Sequence, residues 1–116
     1  MELNDLETKV ILEFLKRFSL ALISKEDLKE HVHVLSRDET GAGFFTALEH
    51  TQCTKVAEET KDFKWGGIGA LINDKVDVGF LLDIKNGYLS CVEGYTYSDD
   101  WPKVITKVEL YDISSS

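Results

Sequence analysis

Three groups of residues in this 116-residue chain have types and spacing that can do chemistry. The histidines come first: His31 and His33 stand two apart, His50 follows, and three imidazoles on one surface can hold a metal. On a strand His31 and His33 share a face, but a one-residue slip in the next strand carries His50 to the other side. With no acidic or cysteine ligand at ligand spacing, surface or structural histidines and no bound metal are expected. The second candidate is Glu93, a carboxylate in an otherwise apolar alternation, where desolvation would disfavour its ionised form. The third is the stretch Tyr95-Thr96-Tyr97-Ser98-Asp99-Asp100-Trp101-Pro102, acidic and aromatic together.

Nucleophile signatures are missing. There is no Gly-x-Ser-x-Gly, and Cys53 and Cys91 are far apart in no metal or redox spacing, so reduced thiols are expected. Gly66-Gly67-Ile68-Gly69 leads into a strand, whereas a phosphate loop must lead into a helix N-terminus, and no Lys-Ser/Thr follows. No catalytic residue and no cofactor are therefore assigned.

These residues must be positioned by elements legible as hydrophobic periods. Leu3, Leu6, Val10, Phe14, Phe18 and Leu22 recur at three- and four-residue steps, with Ile11 and Leu15 widening the stripe, so the chain opens on an amphipathic helix. Ser24 as cap, with Asp27 three residues on, predicts a short second helix over 24–30. The period then changes to two. His31–Leu35 and Phe44–Leu48 flank turn signals at residues 39–43. Residues 51–65 are polar and aperiodic, a long connection with a helical turn around Lys55–Glu59. Gly67–Ile72, Val76–Lys85, Tyr88–Tyr95 and Val108–Ile113 read as further strands, and Asp99-Asp100-Trp101-Pro102 suits a helix start. The expected fold is α+β, one domain over 1–116: an antiparallel sheet of about six strands with the N-terminal helix packed on one face.

Asn86-Gly87 is a type I′ hairpin signal and sets a register. Counting back from it, Ile84 faces Leu89, Leu82 faces Cys91, Phe80 faces Glu93, Val78 faces Tyr95 and Val76 faces Tyr97. This places Glu93 on the core face beside Phe80, unless Gly94 bulges and turns it out. It also brings Asp74 and Asp77 to the same end of the sheet as Tyr97, Asp99, Asp100 and Trp101. Those six residues are the candidate partner-binding set. Aromatics with few rotors beside carboxylates suit the binding of a basic protein, although the same rings could simply cap the sheet end.

Composition narrows the partners. Thirteen Lys+Arg against 21 Asp+Glu give a formal charge of −8, which repels bare nucleic acid and anionic membrane and favours a basic protein. Hydrophobic residues at 43% and charged residues at 29% are those of a globular domain. The acidic start Met1-Glu2-Leu3-Asn4-Asp5 lacks the basic region of a signal peptide, and no apolar run is long enough to span a membrane, so a cytoplasmic protein is expected.

The block Gly66-Gly67-Ile68-Gly69-Ala70, Val78–Leu89, Glu93-Gly94-Tyr95-Thr96-Tyr97 and Trp101-Pro102 resembles small bacterial proteins of the immunity-protein kind, from contact-dependent and polymorphic toxin systems. The resemblance spans about residues 41–113 and brings no catalytic residues. It implies a non-enzymatic protein that binds and neutralises a cognate toxin such as a nuclease. Two other readings stand beside it: a small enzyme or ligand-binding domain with a helix–sheet pocket around Glu93, and a homodimer pairing through a sheet edge.

Overall fold

The computed structural model describes residues 2–18, 23–49, 51, 55–57, 62–97 and 100–113. Helix α1 spans Asp5–Phe18 and α2 spans Lys25–His31. Strands follow as β1 (Val34–Thr40), β2 (Gly43–Leu48), β3 (Phe63–Ile72), β4 (Val76–Lys85), β5 (Tyr88–Thr96) and β6 (Val108–Asp112). They form one six-stranded sheet in the order β1-β2-β5-β4-β3-β6, every neighbouring pair antiparallel. The α+β architecture with its N-terminal helix on one sheet face is the one expected.

Helix α1 starts at a reciprocal cap. Asn4 Oδ1 accepts from Glu7 N at 2.8 Å, and Glu7 Oε1 accepts from Asn4 N at 2.8 Å. Its buried stripe, Val10, Ile11, Phe14 and Leu15, meets Ile68, Val78, Phe80, Leu82 and Val92 across the sheet. Ser24 caps α2 by accepting from Asp27 N, and α2 buries Leu28 in the same core. Both described helices thus lie on one side of the sheet. Among the described residues, no helix is long and apolar enough to cross a membrane.

The Asn86-Gly87 turn has positive φ at both residues, 53° and 89°, as a type I′ turn requires. The register beyond it differs from expectation. Ile84 faces Leu89, but Asp83 faces Cys91, so Ser90 is an extra residue on β5. One extra residue reverses every side chain after it. Leu82 therefore faces Val92, Phe80 faces Gly94, Gly79 faces Tyr95 and Val78 faces Thr96. A second irregularity lies in β3, where Gly66 and Gly67 stand against Leu81 alone, with Gly67 at φ 88°. The glycines read as a poor phosphate loop are this bulge, and Gly67 O accepts from Ile113 N at 2.8 Å.

Other expectations are corrected too. Helix α2 runs through His31 and β1 begins at Val34, so His31 and His33 do not share a strand face. Lys55 bridges Tyr88, and the N–H groups of Val56 and Ala57 both donate to Gly87 O, where a helical turn was expected; Glu58 and Glu59 lie outside the described residues. Asp100-Trp101-Pro102 starts no helix. Asn73 holds the following chain extended instead: its Nδ2 donates to Val104 O, and its Oδ1 accepts from Thr106 N and Lys107 N.

Candidate functional site

The bulge at Ser90 decides what the helix-free face of the sheet carries. Asp77, Gly79, Leu81 and Asp83 of β4 point there, together with Cys91, Glu93 and Tyr95 of β5. Phe45 of β2 stands beside Glu93, and Tyr111 of β6 stands beside Gly69 of β3. Glu93 is therefore half-buried opposite Leu81 and Phe45, and not on the core face beside Phe80.

A row of residues crosses this face directly: Tyr95, Gly79, Gly69 and Tyr111 are successive cross-strand partners on β5, β4, β3 and β6. The missing side chains give the rings their places. A Cβ on Gly79 would run into the Tyr95 hydroxyl, and one on Gly69 would lie 2.9 Å from Tyr111 Cζ. Two tyrosines thus lie against the sheet over two glycines. Tyr97 meets Tyr95 edge-on, with centroids 5.7 Å apart and planes at 89°.

Tyr111 Oη donates to Asp77 Oδ1 at 2.6 Å. That bond, then burial and the Asp77 charge, push the Tyr111 phenol up to about 12. Burial first, then neighbouring Tyr95 and Asp77, also raise Tyr97. Because the Tyr111 shift is upward, the stability it brings is complete below pH 10 and is lost as pH rises through about 12. Asp77→Asn should return Tyr111 towards the ordinary tyrosine value of 10, which ultraviolet titration of phenolate in the Tyr111→Phe and Asp77→Asn proteins will read.

The face is otherwise aromatic, aliphatic and acidic. Phe45 is 45% exposed, Tyr97 55%, Tyr111 37% and Ile113 39%, so none of these large side chains is fully covered. Carboxylates of Asp38, Glu93 and Glu109 surround them. Lys64 reaches Asp83 at 3.5 Å, and Lys107 reaches both Asp74 and Glu109. The thiol of Cys91 is pushed up by burial and then by Asp83 and Glu93, which makes it a poor nucleophile.

The expected site residues divide between two surfaces at one end of the sheet. Asp77 and Tyr97 lie on the helix-free face. Asp74 sits in the β3–β4 turn, held by Lys107 Nζ at 2.9 Å. Asp100 and Trp101 line a groove of about 960 Å³ on the helix side, between the start of α1, the β1–β2 hairpin and residues 100–108. Asp99 lies outside the described residues, as do His50 and Cys53. Glu93 does not line that groove. Among the described residues, no group of three or more His, Cys, Asp or Glu is placed to hold a metal.

Tyr95 and Tyr111 were missed as a pair by sequence reasoning. Their signal was Gly69 and Gly79, two small residues that free the same level of two strands, but only the β3–β6 pairing makes it meaningful. No family model, curated protein or solved structure matches the chain, so its functional reading stands on this geometry.

Proposed function

We propose that the chain is an inhibitor of the immunity-protein kind, binding and neutralising a basic toxin such as a nuclease in the cytoplasm of the cell that makes it. The observation that carries this reading is the helix-free sheet face, where exposed Phe45, Tyr97 and Tyr111 stand among Asp38, Asp77, Glu93 and Glu109. Rigid aromatic area supplies contact at low entropic cost, and the surrounding carboxylates match a basic surface. The net charge of −8 steers such a partner from a distance, which suits an inhibitor that must arrive before damage is done. Asp74 continues the acidic rim at the same sheet end, with Asp100 and Trp101 on the neighbouring groove.

The test is co-expression with the product of the adjacent gene, followed by purification and stopped-flow association. A 1:1 complex is expected, with association slowing about tenfold or more as salt rises from low to high. Asp38→Lys combined with Glu93→Lys should slow association further and leave the folded state intact. No complex, or a complex untouched by these changes and lost on altering Lys103 in the groove, would sink the reading. The second outcome would favour a groove-binding domain instead.

A further inference from the structure

We propose that Tyr95, Tyr97, Tyr111 and Asp77 form a receptor for the guanidinium of one arginine on the basic partner. The inference rests on the inhibitor reading and names the chemical group that its surface selects. Three aromatic rings and one carboxylate converge at one place on the helix-free face. Tyr95 and Tyr111 lie over Gly79 and Gly69, which removes the side chains that would otherwise fill the space above the sheet. Tyr97 stands perpendicular to Tyr95 and forms a wall. Asp77 is fixed at the side by the 2.6 Å bond from Tyr111, which engages Oδ1 and leaves Oδ2 for a guest.

Among the described residues no lysine or arginine pairs with Asp77. Lys107 is engaged by Asp74 and Glu109, and Lys64 by Asp83. Ring faces attract a cation through their quadrupole, and a carboxylate beside them adds a directed acceptor. A planar guanidinium can stack on a flat ring and still donate to a carboxylate at its edge. A compact, strongly hydrated ammonium cannot do both.

The probes are three blocked pentapeptides added to the 116-residue chain, with arginine, lysine or citrulline as the central residue among glycines. Citrulline keeps the shape of arginine and removes its charge. The arginine peptide should shift the ring resonances of Tyr95, Tyr97 and Tyr111 and bind about tenfold tighter than the citrulline peptide. Asp77→Asn and Tyr97→Ala should each abolish that preference. Tyr97 is 55% exposed, so its truncation keeps the protein folded if Asp77→Asn does not. Equal binding of arginine and citrulline, equal binding of arginine and lysine, or shifts confined to the Trp101 groove would each overturn the proposal. The two readings fail separately. A toxin complex that tolerates Asp77→Asn removes the receptor and keeps the inhibitor; arginine-selective binding with no toxin complex does the reverse.

Discussion

Glu7→Ala will cost the folded state about 3–5 kcal/mol, the scale of breaking a buried ion pair from one side. Glu7 is 0% exposed, although glutamate is rarely buried without partners. Four donors reach it. Arg37 Nε and Nη2 donate at 2.7 and 2.6 Å, Thr46 Oγ1 donates at 2.5 Å, and Asn4 N closes the helix cap at 2.8 Å. One carboxylate therefore caps α1 and ties it to β1 and β2. Truncation leaves the fully buried Thr46 hydroxyl without its acceptor and the Arg37 guanidinium without its counter-charge.

The pH response follows from the same contacts. Burial alone would raise the Glu7 carboxyl, but hydrogen bonds from Arg37, Thr46 and Asn4, with the Arg37 charge, outweigh it and hold the group below its ordinary 4.5. The hydrogen bond to Glu7 likewise raises Arg37. A lowered acid stabilises the fold above pH 4.5 and loses that contribution as pH falls through the folded value. Denaturant midpoints at neutral and acid pH should therefore converge for wild type and Glu7→Gln as the medium is acidified. Glu7→Met with Arg37→Met should recover part of the loss of Glu7→Ala, because neither charge is then left buried alone while the Thr46 hydroxyl still lacks its acceptor. Midpoints that differ by the same amount at every pH would mean that Glu7 acts through shape and not through its charge.

The parts of this structure legible in sequence are those with local causes. The α1 stripe, the Ser24 cap and the Asn86-Gly87 turn depend on residues within a few positions of one another. The alternation of Val76, Val78, Phe80, Leu82 and Ile84 also holds, and every one of them is buried. What failed has causes elsewhere in the chain. Ser90 carries no bulge signature, yet it moved Glu93, Tyr95 and Cys91 to the other face. The Asp100–Lys107 segment has a helix-start pattern, but Asn73, on a different turn, takes its backbone groups one by one. Nothing within a helical turn of Glu7 signals that this carboxylate is buried. Its burial depends on Arg37, thirty positions away, whose fork reaches it across the sheet. The candidate site suffered in the same way: its acidic and aromatic character was visible, but its assignment to a face depended on one residue.

Trp101→Ala should cost about 3 kcal/mol of stability, the lower end of what truncating a packed tryptophan costs, because its ring is only half-buried. The ring meets Phe44 edge-on at 5.2 Å and Phe80 at 6.4 Å, so it seals the core beside the start of β2 and the middle of β4. Its backbone N–H donates to Gly41 O at 2.9 Å, which fixes the β1–β2 turn to residues 100–102 and survives the substitution. The loss is therefore one of packing, and Trp101→Phe should recover more than half of it. A core cap and a binding anchor predict different second results. At a temperature where the variant is fully folded, a core cap leaves affinity for the basic partner within about threefold, whereas truncating an anchor costs about 2 kcal/mol, close to thirtyfold. Tyr97→Ala should give the opposite pattern, since Tyr97 is exposed and contributes little to the core: a small change in denaturant midpoint and the larger change in affinity. If Trp101→Ala lowers affinity more than Tyr97→Ala in folded protein, the interface is centred on the groove, and the tyrosine face is its margin.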